Sequence, residues 1–414
     1  MKRIVFIVVS VFATHHLSWS QTPGCTDPLA ANYNAGATVN DGSCIYGNAT
    51  VAPLQSIELP VYLNESSGLV VDGDSVWTHN DNSDVHLYRI GKSDTTGMQQ
   101  FTVSGASNID WEDLTADSNY FYVGDFGNNS NGARTDLRIL RIEKQSLWAG
   151  QPVVDTIWFS YSDQIPVTST GPNATDFDCE AMVVDTDSIY LFSKMWTSQN
   201  TTVYALSKSP GVHIANRKFQ LNVQGLVTGA TMVDSLGIVV LCGYSPLLQP
   251  FLFLIYDYPA KEFELGNKRK IGLNLPFHQV EGIGTDDGLT YFCTNERFTQ
   301  SFVTTPQKLH KIDLSAFLGP YLTTSSVLDA SSMVSKLSIH PNPFNNSFKI
   351  DSKHGGSVGE VFVFNLHGIE VFHDTHFDFS DEIETEYWSL GVYFVLVKPS
   401  RNTSHSQFLL IKSK

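Results

Sequence analysis

Basic residues are scarce in this chain: 26 Lys and Arg stand against 42 Asp and Glu, for a formal charge of −16. That balance argues against nucleic acid or an anionic membrane as the main partner. Five cysteines in 414 residues are too few for a disulfide scaffold. After residue 13 no run is long and apolar enough to span a bilayer, which takes about 20 residues. The most apolar stretch, Phe251–Tyr256, is short and suits a buried strand. There is no P-loop and no dinucleotide fingerprint, and no His or Cys pair has the spacing of zinc ligands. Ser66-Ser67-Gly68 is not a nucleophile elbow, because no strand-to-helix turn is expected there. Hydrophobic residues, at 42%, suffice for full-sized cores and exclude global disorder.

The two ends read as addresses. Lys2 and Arg3, the apolar run Ile4–Ala13 and the small residues Ser18 and Ser20 before Gln21 predict a signal peptide over 1–20. Residues 21–47 are too few for a hydrophobic core, and in an exported chain Cys25 and Cys44 should pair and close a turn-rich module. Asp27, Asn34 and Asp41 there either close Asx turns, the favoured reading, or offer oxygen ligands to calcium. The string Cys25-Thr26-Asp27-Pro28…Asp41-Gly42-Ser43-Cys44 resembles a small module common in surface proteins of Bacteroidetes, which implies no catalysis.

At the other end, Leu337-Ser338-Ile339-His340-Pro341-Asn342-Pro343-Phe344 opens a series of short apolar strands. These include Val361–Phe364, Gly391-Val392-Tyr393-Phe394-Val395 and Phe408–Ile411, ahead of a basic terminus. The pattern predicts a small β-sandwich over 336–414. It resembles the C-terminal sorting domain of the type IX secretion system, in which the Pro-Asn-Pro opening, the Gly-x-Tyr strand and the basic end recur in that order; His340 replaces a usual Tyr. The resemblance implies the secretion machinery as partner and a destination outside the outer membrane, either released or attached to the surface. A carbohydrate-binding sandwich is the alternative. The Ser-rich, aperiodic stretch within 319–335 reads as linker.

Between the ends, one pattern recurs. Copies begin at Ser67, Glu112, Glu180, Gly229 and Glu281, spaced by 45, 68, 49 and 52 residues, each with an Asp five positions on. A short turn then leads to an apolar strand, and a third and usually a fourth strand follow. Four strands per repeat predict an all-β chain with a β-propeller over 50–318. The count is five blades, or six if the 68-residue interval holds another. The last copy lacks a fourth strand, so Ile57–Val61 should complete it and close the ring.

In a propeller, the starts of first strands and the ends of second strands share one face. That face should gather Asn80, Asp110, Asp125, Asn128, Asp178, Lys194 and Asn295 as ligand-facing residues, with Glu112, Glu180 and Glu281 at the channel mouth. Clustered carboxylates need a cation or protonation. An oxygen cage drawn from Glu112, Glu180, Glu281, Asp125 and Asn295 suits calcium. The plainer reading has each Glu accepting backbone N–H bonds between blades.

Asn108-Ile109-Asp110-Trp111-Glu112-Asp113-Leu114, Gly124-Asp125-Phe126-Gly127-Asn128-Asn129 and Asp176-Phe177-Asp178-Cys179-Glu180-Ala181 resemble, in order, motifs of a family of secreted, uncharacterised bacterial propellers. More remotely, the repeat resembles phytase-like and lactonase-like propellers, which implies a metal held in the channel. Gly229 at the fourth start and Lys194 at a possible ligand position depart from that pattern. His278, near Glu281, is a weak candidate general base, as is Lys194 for a catalytic role. Cys242 and Cys293, at equivalent second-strand ends, could pair or merely pack, and buried free thiols are the favoured reading of the three with Cys179.

Two functions follow. One is a secreted or surface propeller binding an unknown extracellular ligand on its acidic face. The other is a calcium-dependent hydrolase of phosphoesters or lactones. Few cations on the face, Lys194 and Arg297, favour binding over phosphoester hydrolysis.

Overall fold

Each repeat alternates β-branched and aromatic residues with polar ones, and each folds as an antiparallel meander. The computed structural model describes residues 21–300, 303–323, 337–352, 358–365, 369–378, 381–399 and 406–413. The expected signal peptide and most of the expected linker lie outside these residues.

The described residues are all-β apart from short helical turns and the helix of residues 315–323. The first meander runs Ser66–Asp72, Ser75–Asn80, His86–Gly91 and Gln99–Thr102. The second runs Trp111–Ala116, Tyr120–Asp125, Arg138–Glu143 and Val154–Tyr161. The third runs Asp178–Val184, Ser188–Lys194, Thr201–Ser207 and Gly211–Leu221, and its last strand pairs in parallel with Val154–Tyr161, joining the two sheets. The fourth runs Leu226–Val233, Ile238–Tyr244, Pro250–Tyr256 and Asn267–Leu273. In the last sheet, Val280–Thr285, Thr290–Asn295 and Lys308–Asp313 are completed by Gln55–Glu58, whose Ile57 lies opposite Leu309.

Apolar cores lie between consecutive sheets. Trp77, Leu87, Trp111, Phe121 and Val123 fill the space between the first and second. Tyr122, Ile139, Met182 and Tyr204 join the second and third. Ala181, Val183, Val227 and Leu241 join the third and fourth, and Leu69, Val76, Tyr88, Phe292 and Leu309 join the last to the first. First strands also bond to one another. Ser67 Oγ donates to Glu112 O (2.6 Å), Asp113 Oδ2 accepts from Met182 N (2.6 Å), and Thr228 Oγ1 donates to Val280 O. Gly68, at φ +60°, lets the first and second meanders touch: a Cβ there would lie 2.3 Å from Leu114 N.

Cys25 and Cys44 form a disulfide, and the module they close sits against the fourth meander. Asp27 accepts hydrogen bonds from Tyr46 OH (2.7 Å) and Tyr256 OH, Thr26 Oγ1 donates to Asp257 (2.9 Å), and Asn40 Nδ2 donates to Asp257 O and Asn267 Oδ1. Residues 315–323 are helical, so the stretch read as linker from 319 is structured as far as 323. Cys179, Cys242 and Cys293 are buried free thiols.

The chain divides into two units, 1–321 and 322–414. The second has a three-stranded sheet (Leu337–His340, Ser347–Ser352, Glu382–Glu384) and a four-stranded sheet (Val358–Asn365, Glu370–Asp378, Gly391–Pro399, Ser406–Lys412). Phe344, Phe348, Ile350, Val361, Tyr393 and Val395 from both sheets share one core.

Candidate functional site at the carboxylate cluster

The antiparallel registers put first-strand starts beside second-strand ends. Ser66 lies opposite Asn80, Trp111 opposite Asp125, Asp178 opposite Lys194 and Val280 opposite Asn295. Glu112, Glu180 and Glu281 follow within one or two residues along the first strands and are buried. Lys194, 3% exposed, is the one buried Lys or Arg among them. It is ion-paired with Glu180, lies 3.3 Å from Tyr244 OH and sits over the Trp196 ring at 4.7 Å. Burial by itself would lower Lys194, but Glu180, with Tyr244, Glu281 and Asp178 behind it, raises its ammonium well above the usual lysine range.

The carboxylates outnumber that cation. Burial raises Glu281 to about 7, against the opposing pull of Lys194 and the Tyr244 and Thr228 hydroxyls. Burial, reinforced by Glu65 and Glu281, raises Asp81 to about 7. Burial and the Asp178 charge raise Asp110 to about 6. Glu112 is raised well above the carboxylate range by burial and then by Glu180, Asp110 and Asp178. Glu112 is 6% exposed, and among the described residues its carboxyl has no hydrogen-bond donor or ion-pair partner. Its Oε1 and Asp110 Oδ2 converge on Gly127, where a Cβ would lie 2.3 and 2.4 Å from them.

Several residues expected to face a ligand are committed to the protein instead. Asp125 is held by Arg138 (2.7 and 2.9 Å) and Arg134 (3.1 Å). These two arginines also bring positive charge to an end of the sheet where the sequence reading placed only Lys194 and Arg297. Asn128 donates to Phe177 O and accepts from Arg134 N, and its own N–H donates to Asp178 (2.6 Å). Asp178 also accepts from Trp196 Nε1 (2.7 Å). Asn295 donates to Glu296 O and Pro306 O, and its Oδ1 lies 2.8 Å from His310 Nε2. Asn80 donates to Tyr62 O and Asp84, while its buried Oδ1 has no partner. His278 Nδ1 lies 3.0 Å from Pro276 O, and among the described residues no hydrogen bond joins it to Glu281.

The calcium reading draws on some of Glu112, Glu180, Glu281, Asp125 and Asn295, and the structure commits three of these five to protein partners. Glu180, Asp125 and Asn295 are engaged elsewhere, and among the described residues no three His, Cys, Asp or Glu side chains are grouped to hold a metal ion. The bonding between first strands that was read for the glutamates is made by Asp113, which accepts from Met182 N of the third meander and also from Leu114 N on its own strand. Asp113, Tyr244 and Trp196 do most to shape the cluster. Asp113 directly follows Glu112 in the sequence, and that adjacency was the signal available for it.

Comparison with known proteins identifies the tail. Residues 338–412 match the family described as the secretion system C-terminal sorting domain. The chain thus carries a type IX sorting tail, and its destination is beyond the outer membrane, at the cell surface or secreted. No helix among the described residues is long and apolar enough to cross a membrane.

No curated protein matches the sequence. Among solved structures, the chain resembles PorZ, an essential surface component of the type IX secretion system of Porphyromonas gingivalis, at 13% identity and TM-score 0.30, over 84% of this chain and 45% of PorZ. It therefore spans less than half of PorZ's length. It also resembles Myxococcus xanthus glutaminyl cyclase (11% identity, TM-score 0.39, 64% of this chain and 99% of that one). A protein of unknown function from Dyadobacter fermentans matches at 8% identity and TM-score 0.36, over 63% of this chain and 98% of that one.

Proposed function

We propose that residues 50–318 form a five-bladed β-propeller, that the tail is a β-sandwich sorting domain, and that the exported propeller binds a cationic ligand at its carboxylate cluster. Support for the propeller comes from the five meanders, the contacts of each first strand with the next, and the closing strand Gln55–Glu58. One observation carries the binding proposal: Glu112 is buried beside Asp110, Asp178 and Glu180 with no partner for its carboxyl among the described residues, while the buried cation Lys194 is committed to Glu180. Buried carboxylates that lack a counter-charge are costly, and an incoming ammonium, guanidinium or divalent cation relieves that cost. Calcium is the hard-cation form of the same proposal, with Glu112 and Asp110 as its uncommitted carboxylates. Hydrolysis assisted by calcium would require that form.

The test is thermal melting of the full chain with calcium, with EDTA, and with spermidine as an organic cation. A ligand at a hundred times its Kd adds roughly 2.7 kcal/mol to stability. The expected result is a rise in Tm of several degrees with calcium or spermidine that Glu112→Gln abolishes. If neither cation moves Tm at millimolar concentration, the cluster does not bind cations and the proposal fails.

A further inference from the structure

The first two strands of the first meander end far from Ser66 and Asn80, at the Asp72-Gly73-Asp74-Ser75 turn. There a cleft of 580 Å³ opens between the first and second meanders, within the roughly 300–1,000 Å³ of small-ligand sites. Asp72, Asp74, Trp77, Arg89, Gln99, Phe101 and Trp148 line it.

The aromatic side of the cleft is layered. Trp77 is buried, with its ring 5.1 Å from Phe101 and 4.8 Å from Phe121. Trp148, at the end of the short helix Lys144–Trp148, is 51% exposed, and among the described residues its indole has no ring contact and its Nε1 no acceptor. Its helix is fixed by buried Leu147 and Lys144, the latter over the Phe121 ring at 4.8 Å. The indole is thus a bare aromatic face on a fixed support.

The polar side is largely uncommitted. The Asp72 and Asp74 carboxylates are exposed and take part in no hydrogen bond among the described residues. Arg89 donates Nε to Ser75 Oγ (3.0 Å) and Nη1 to Gln99 Oε1 (3.4 Å), which orients the guanidinium and leaves Nη2 available. Gln99 Nε2 is likewise without an acceptor among the described residues. Acceptors and donors of planar, bidentate type line the same cleft as an exposed aromatic face.

We infer that this cleft binds an oligosaccharide, with a sugar ring stacked on Trp148 and its hydroxyls bonded by Asp72, Asp74, Arg89 and Gln99. A pyranose presents an apolar C–H face and an edge of hydroxyls that both donate and accept, which this mixture matches. A phosphate-bearing ligand would meet two carboxylates. A simple cation would meet Arg89. A hydroxyl satisfies both kinds of partner without charge. The cleft lies at the opposite strand ends from the carboxylate cluster, so the inference does not depend on cation binding there.

The experiment titrates the full chain with hexasaccharides of glucose, N-acetylglucosamine, mannose and galactose, following tryptophan fluorescence and binding heat. At least one should bind saturably. Trp148→Ala and Arg89→Ala should each weaken that binding by more than about tenfold, roughly 1.4 kcal/mol, with unchanged circular dichroism and Tm. Trp158→Ala removes another partly exposed indole, one covered by Arg138 at 5.3 Å, and should leave binding intact, as should Glu112→Gln. Absence of saturable binding with all four sugars, or binding that Trp148→Ala does not change, overturns the inference.

Discussion

Gly127 shows how much the carboxylate cluster depends on single atoms. A methyl group there would fall on Glu112 Oε1 and Asp110 Oδ2, so Gly127→Ala must push both carboxylates aside. It should lower stability by about 1–3 kcal/mol, the usual cost of overpacking, and erase any cation-dependent rise in Tm, both read from the same melts. Asp125 teaches a different lesson. Its place at the end of the second strand, on the face shared with the first-strand starts, was legible, because the recurring Glu/Gly…Asp register aligns the repeats. Its capture by Arg134 and Arg138 was not, because that depends on how residues 126–137 fold back over the second strand and on the register that sets Arg138 opposite Asp125. Asn128 and Asn295 were likewise brought to the expected end of their sheets and then consumed by local hydrogen bonds. Asp125→Asn leaves two guanidinium groups without their carboxylate and should destabilise by about 3 kcal/mol or more, as breaking a buried ion pair does, measured by urea denaturation.

At the scale of elements, strands were legible and dockings were not. Alternation of apolar and polar residues located the strands of each repeat to within a few residues, since one face of each must be buried. The module of residues 21–47 was recognisable from its cysteines, but its attachment rests on partners more than 200 residues away: Asp27 with Tyr256, and Thr26 with Asp257. Arg269 ties in a further element, with its guanidinium over Tyr46 of the module at 4.9 Å and over Phe317 of helix 315–323 at 4.8 Å. No periodicity signals such a sandwich, which is why residues 319–323 read as linker. The module leads directly into Thr50–Val51 and Gln55–Glu58, the strands that complete the fourth and last sheets. Replacing Cys25 and Cys44 with Ser should therefore cost stability beyond the module itself. A bridge spanning 19 residues corresponds to about 3 kcal/mol of chain entropy. The wild-type chain under reducing conditions should fall to the Tm of the double Ser variant. If Tm is the same with and without the bridge, the module is an appendage and not a clasp on the sheets.

Across the whole molecule, two sets of buried or half-buried groups respond to pH in opposite directions. Burial lowers His79 to about 4, and burial with the His278 and Lys308 charges lowers His310 to about 3, against about 6.5 when unfolded. Between those values the unfolded chain holds protons that the folded one does not, so this contribution rises with pH and is complete above about 6.5. Asp110, Asp81 and Glu281 behave inversely. Raised to about 6, 7 and 7 from roughly 4 when unfolded, they keep protons in the folded state, so their contribution is complete below about 4 and is lost as pH climbs to about 7. The two trends offset one another between about 4 and 6.5, and only the carboxyl trend continues to about 7. Tm should accordingly be no higher at pH 8 than at pH 5.5, and Glu281→Gln should raise Tm at pH 8 relative to the wild type. The same ionisations govern cation binding. At pH 5 the cluster is largely neutralised by its own protons, and an incoming cation must displace them. At pH 8 the charges are exposed to it. The rise in Tm produced by calcium or spermidine should therefore grow from pH 5 to pH 8, and in Glu281→Gln it should grow less. A shift of the same size at both pH values would mean that the cation binds elsewhere on this acidic chain and that the cluster's carboxylates are not its ligands.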